Sequence, residues 1–157
     1  MAYFRIRFIT EPDWISSAIR TVTDSQWSHV EIVLPDNSYL GAHHPSGVQI
    51  RPYDYCQPLR ERRYQIPVSE SALGKMLNFA HAQVGKPYDT ADIFSILLHK
   101  NWQDSEAWIC SELVAATAEA GGVFMLNVQA QYTHKITPEM LHLSPLLIGN
   151  CYFSAGF

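Results

Sequence analysis

Up to Val68 the sequence reads as a succession of short strands, and from Ser69 onward it switches to helical spacing. That order limits the fold more than any single motif does. Strands that precede helices, rather than alternate with them, give an α+β chain with an antiparallel sheet. Residues 3–9 alternate apolar and basic side chains, as a strand does. Asp13 is placed to cap a helix over Trp14 to Val22. His29 to Leu34 reads HVEIVL, a β-branched run expected to form a buried strand. Pro35-Asp36-Asn37 is turn chemistry, with Ser38 to Ala42 as the returning strand of a hairpin. Val48 to Arg51 and Arg63 to Val68 complete the strand series, and Pro67 points to an edge position.

The helical part begins with Ser69 or Ser71 as N-cap and stops at Gly85. Asp89 or Thr90 is positioned to cap a second helix to about Leu98. Cys110 to Ala120 forms a third, ended by Gly121-Gly122. Pro138 opens a short helical turn, and Leu147 to Phe153 is a last candidate strand. There is no internal repeat or low-complexity linker, so 1–157 is read as one domain. A chain of 157 residues is long enough for one sizeable core.

Charge and composition exclude several function classes. The net charge is −4, so no basic field draws in nucleic acid. Arg60, Arg62 and Arg63 cluster, but Glu61 interrupts them and a solvated edge accounts for the group. No stretch approaches the about 20 apolar residues of a membrane span, so no stable membrane insertion is expected. The opening MAYFRIRFIT lacks the apolar core of a signal peptide, so the chain is read as cytoplasmic when synthesised. The cysteines are three, Cys56, Cys110 and Cys151, with no CxxC pair. That argues against a disulfide framework or a zinc ribbon and for one functional thiol with two bystanders.

Three segments carry the chemistry. Cys110 in WICSELV falls at or just inside a helix N-terminus. Free N–H groups there stabilise a thiolate and can bind an oxyanion. A buried structural cysteine is the competing reading. His29 begins the HVEIVL strand, a rigid mount for a general base, and Glu31 points to the same face two residues on. The competing reading there is a histidine satisfied by the backbone beside a solvent-facing glutamate. In the third segment, GKPYD at 85–89, turn and cap chemistry explains Gly85, Pro87 and Asp89. Tyr88 is either a core aromatic or a phenol aimed into the site. A metal site on His29, His43 and His44 with Glu31 lacks any HExxH-like spacing. Adjacent His43 and His44 on a strand point to opposite faces. No metal and no cofactor are therefore expected.

Taken together, His29 in WSHVEIVL, then GKPYD, then Cys110 in CSELV resemble the circularly permuted, YiiX-like branch of the NlpC-type cysteine peptidases. GAHHPSGVQIRP at 41–52 and ITPEMLHLSP at 136–145 extend the resemblance over most of the chain. It implies a papain-like α+β fold, an antiparallel sheet or small barrel with the nucleophile on a packed helix. By position Cys110 matches the nucleophile, His29 the base and Tyr88 a tyrosine close to the nucleophile. The family's third polar residue falls on Gly41, which cannot orient an imidazole. Glu31 and His43 are the candidates for that role, Glu31 being favoured because a carboxylate better stabilises an imidazolium. Trp27 and Trp108 flank base and nucleophile as possible cleft walls, and Asp89 or Glu31 could bind a substrate amine.

The resemblance further implies a cysteine amidase or peptidase acting on cell-wall peptides or fragments, and the expected lack of a leader suggests that these are reached by release during lysis or by delivery with a phage or prophage particle or a secretion device. A cytoplasmic peptidase acting on recycled wall fragments is the other route. Two alternatives stay open: a lipid acyltransferase or esterase on the same fold, and a non-catalytic binding or assembly module.

Overall fold

A computed structural model describes residues 1–12, 16–17, 20–21, 24–88, 109–127 and 136–149. Six strands form one antiparallel sheet in the order β4-β3-β2-β1-β5-β6. They are β1 (Ala2–Thr10), β2 (His29–Val33), β3 (Tyr39–His43), β4 (Gly47–Arg51), β5 (Arg60–Val68) and β6 (Ile148–Gly149). Three helices are described: α1 (Glu70–Gln83), α2 (Cys110–Ala120) and α3 (Pro138–His142). Strands β1–β5 precede α1–α3, with helical residues 16–17 and 20–21 between β1 and β2 and β6 following α3, and the architecture is α+β. The helix expected over Trp14–Val22 falls largely outside the described residues, and the one from Asp89 to Leu98 entirely so.

The alternation of the strands makes two faces. Phe4, Ile6 and Phe8 of β1, Val30 and Ile32 of β2, and Leu40 and Ala42 of β3 form the apolar face, all fully buried. Helix α2 covers β2 and β3, and α1 packs on β1 and against α2. Burying these side chains contributes roughly 1.5–3 kcal/mol each relative to exposure, enough to fix the register. The local caps agree with the sequence. Ser69 accepts a hydrogen bond from the Ala72 N–H and starts α1, and Thr137 caps α3 in the same way through Met140. Pro67 lies within β5, which is an interior strand by order. On its β6 side the strand is paired only at Tyr64 and Gln65, and on its β1 side Pro67 stands opposite Tyr3.

The opposite face is polar yet also covered. Register pairs Arg7 with Glu31 and Ile9 with His29 across β1 and β2. The β2–β3 register pairs Ile32 with Leu40, and its continuation sets Gly41 beside Glu31 and His43 beside His29. Every residue of β2 and β3 is buried, so the charged residues among them need partners.

Candidate active site

Two elements bring the site together. Cys110 is the first residue of α2, and Ile109 before it is extended and offers no side-chain cap. The first helical backbone bond is Leu113 N–H to the Ile109 carbonyl. The first-turn N–H groups therefore have no cap side chain competing for them. The Ser111 hydroxyl donates to the Ile136 carbonyl and ties this helix end to the segment before α3. His29 opens β2, where Ser28 N–H bonds the Ile9 carbonyl at 3.1 Å and fixes the strand start. The imidazole interacts electrostatically with the Cys110 thiol, and both residues are buried. Burial alone would depress the imidazole's pKa. Cys110 and then the Glu31 carboxylate outweigh it and hold His29 well above its ordinary value.

Glu31 is the hub of the polar face and has no solvent exposure. Its Oε1 accepts a hydrogen bond from the Tyr55 hydroxyl at 2.6 Å. The same oxygen lies 3.4 Å from His29 Nε2 and 3.5 Å from His43 Nε2. Its Oε2 lies 3.3 Å from Arg7 Nε, in a pair that is buried on both sides. Burial would raise the carboxyl pKa, but His29, Arg7 and Tyr55 together hold it below the usual range. Glu31 is therefore a buried carboxylate. Arg7 in turn lies over the Tyr39 ring at 3.9 Å and donates to Cys56 Sγ at 3.2 Å. Burial and the Glu31 carboxylate raise the Tyr55 phenol above its ordinary value, so it remains a donor.

Gly41 makes this packing possible. A Cβ there would stand 3.3 Å from Glu31 Cγ, 3.3 Å from His43 Nε2 and 3.4 Å from His29 Nε2. The space a side chain at 41 would take is already shared by Glu31 and the two imidazoles. Of the two candidates for the third role, Glu31 brings Oε1 to 3.4 Å from His29 Nε2, an ion-pair distance without an aligned hydrogen bond, in keeping with the long reach of an i,i+2 pair on a strand. The His29 and His43 rings lie 4.6 Å apart. Burial, then the nearby cations His29, Arg51 and Arg7, push His43 down to about 2, so it is neutral.

The other expected residues are distributed as follows. Tyr88 is buried in the core cluster that includes Cys110, with His44 edge-on at 5.6 Å. It is positioned from β4: Val48 N–H bonds the Lys86 carbonyl and Gly85 N–H bonds the Val48 carbonyl, each at 2.9 Å. Gly47 permits this contact, because its φ is +82° and a Cβ would stand 2.3 Å from the Lys86 oxygen. Trp27 packs into the core against Phe8 and His142, at 6.0 and 5.2 Å, which are the contacts of a core aromatic. Trp108 and Asp89 lie outside the described residues. His44 is exposed and lies in the turn after β3, so it is the end of the strand and not the expected alternation that sets it apart from the buried His43.

Arg7 and Tyr55 are the partners that sequence reasoning missed. Arg7 reads as one of the outward basic residues of an alternating strand, and Tyr55 sits in a polar loop. The available signal was Glu31 itself. A carboxylate within a fully buried strand requires a cation on its neighbour, and β1 offers only Arg5 and Arg7.

The donor set at the hub also has the composition of a metal centre. His29, Glu31 and His43 each present a ligand atom, all within 4.8 Å of one another. His29 Nε2, His43 Nε2 and Glu31 Oε2 are buried without an aligned hydrogen-bond partner. A helical-motif search cannot see this set, because strand pairing rather than sequence spacing assembles it.

No family model and no curated protein matches the chain. Among solved structures it is similar to the metalloprotein yiiX from Escherichia coli O157:H7, with a TM-score of 0.69. The match covers 94% of this chain and 95% of that one at 18% identity. At that identity the likeness speaks for fold alone: this chain has a YiiX-like α+β fold built on a six-stranded antiparallel sheet.

Proposed function

We propose that the chain is a cysteine hydrolase of amide bonds on a permuted papain-like scaffold, with Cys110 as nucleophile, His29 as base and Glu31 as the group that orients His29. The observation that carries this reading is the Cys110 thiol at an uncapped helix start, facing an imidazole backed by a buried carboxylate. A thiol needs a base to act at neutral pH, and His29 is the residue that supports this reading. Glu31 Cγ lies 3.3 Å from where a Cβ at position 41 would stand, which supports Glu31 in the role that Gly41 cannot take.

The proposed reaction runs in two halves. His29 accepts the Cys110 Sγ proton, and the thiolate attacks the amide carbonyl carbon. The carbonyl oxygen becomes an oxyanion, held by the Cys110 backbone N–H and a second donor. Collapse expels the amine, which leaves with the proton held by His29, and an acyl-thioester forms. Water gives its proton to His29 and attacks the thioester. The second tetrahedral intermediate releases a carboxylic acid and restores the thiol. Glu31 stabilises the imidazolium between these steps without taking its proton.

The proposed substrate class is a cell-wall peptide, on the strength of the motif resemblance. The test is hydrolysis of purified wall peptides followed by mass spectrometry. Wild type is expected to release amine and acid products, and Cys110→Ala to lose at least about 10³-fold in rate. Equal turnover by Cys110→Ala would overturn the assignment.

A further inference from the structure

The hub on β2 and β3 does more than orient a base. Tetrahedral zinc binds nitrogen and oxygen at roughly 2.0–2.2 Å, so neighbouring ligands stand about 3.3–3.6 Å apart. The two measured edges of this site are 3.4 Å, from Glu31 Oε1 to His29 Nε2, and 3.5 Å, from Glu31 Oε1 to His43 Nε2. The three donor residues sit on adjacent strands of a paired sheet, and their spacing is set by the backbone register. His29 Nε2 and His43 Nε2 are buried polar atoms with no aligned partner, so both have a lone pair or an N–H to satisfy. The carboxylate already has the outer support that ligating carboxylates carry, from Tyr55 at 2.6 Å and Arg7 at 3.3 Å. Arg7 is a fixed positive charge beside the site and lowers its affinity for a cation. Cys110 does not belong to the cluster of mutually close donors.

We infer that His29, Glu31 and His43 bind one divalent zinc-class ion, and that the bound ion silences the Cys110–His29 pair. The second clause rests on the catalytic reading above. Its chemistry is simple: a neutral imidazole has one basic lone pair. When the ion takes that pair on one ring nitrogen, the other nitrogen carries a proton. His29 can then no longer accept the proton of Cys110.

The experiment titrates Zn²⁺ into the metal-free full-length chain against a chromophoric chelator. Wild type is expected to bind one equivalent. His43→Gln, checked for folding by circular dichroism, is expected to lose at least about 100-fold in affinity, beyond the 10–100-fold typical of outer-shell partners. Cys110→Ser is expected to keep wild-type affinity. Absence of stoichiometric binding, unchanged affinity in His43→Gln, or loss of binding in Cys110→Ser would each overturn the site. Wild type loaded with Co²⁺ gives a readout that needs no variant. Visible tetrahedral bands without a thiolate charge-transfer band support the three-residue set, and a thiolate band refutes it. Finally, iodoacetamide alkylation of Cys110 is expected to slow on adding Zn²⁺ and recover with chelator. Binding without slowing refutes the silencing. A Cys110 that is unreactive without metal refutes the catalytic reading and leaves the affinity measurements standing.

Discussion

Arg7→Met tests whether the buried carboxylate at the hub is held as described. Arg7 and Glu31 have side-chain exposures of 1% and 0%, and their charged atoms meet at 3.3 Å. Methionine keeps the unbranched bulk but removes the cation, leaving a buried carboxylate with one charge partner fewer. Removing one member of a buried pair costs about 3–5 kcal/mol. The lost guanidinium stacking on Tyr39, at 3.9 Å, adds to this and belongs to the desolvated class worth about 2 kcal/mol. Against a total stability of about 5–15 kcal/mol, that is a large fraction.

The pH dependence follows with its sign. In wild type the Glu31 pKa is lowered, so its contribution is present above the ordinary carboxyl value of about 4.3 and fades as pH falls through the folded value. In the variant, burial is opposed by fewer partners and the carboxyl rises, so protonation relieves the cost. Urea unfolding at pH 7 is expected to show a deficit of about 3 kcal/mol or more with an unchanged m-value, and the deficit narrows at pH 5. A deficit under about 1 kcal/mol, or one equal at both pH values, would refute the claim that Arg7 holds Glu31 as a buried anion.

Three further outcomes follow from the same geometry. Tyr55→Phe removes a hydrogen bond to a charged acceptor and is expected to cost about 1.5–3 kcal/mol in urea unfolding. Gly41→Ala pushes a methyl against Glu31, His43 and His29 at 3.3–3.4 Å, and is expected to cost about 1–3 kcal/mol and to slow Cys110 alkylation in a timed labelling assay. Gly47→Ala sets a Cβ 2.3 Å from the Lys86 oxygen at a positive φ, and is expected to cost about 2 kcal/mol or more and to raise hydrogen exchange at Val48 and Gly85.

Most strands were legible because their signals are local: β-branched runs, alternation and turn residues between Ala2 and Val68. The starts of α1 and α3 were legible for the same reason, through Ser69 and Pro138. Cys110 and His29 were legible one by one, as a thiol at a helix start and an imidazole at a strand start, and it was the motif resemblance that paired them. The hub was legible in part, through Glu31 and His43 as candidates beside His29, while Arg7 and Tyr55 were not: Glu31, His43 and Arg7 meet through the registers of β1 with β2 and β2 with β3, and a register is a property of pairing rather than of any one segment. Gly41 illustrates the point. As a residue it reads as a missing side chain, and as a position in the sheet it is the space that lets three polar groups converge.

The central claim is that His29 activates Cys110, and the rate of Cys110 alkylation tests it most directly. In metal-free buffer near pH 6, iodoacetamide is expected to label Cys110 faster than Cys56 or Cys151, and His29→Ala is expected to abolish that advantage. Labelling of Cys110 no faster than the other two thiols, or equally fast without His29, would contradict the account.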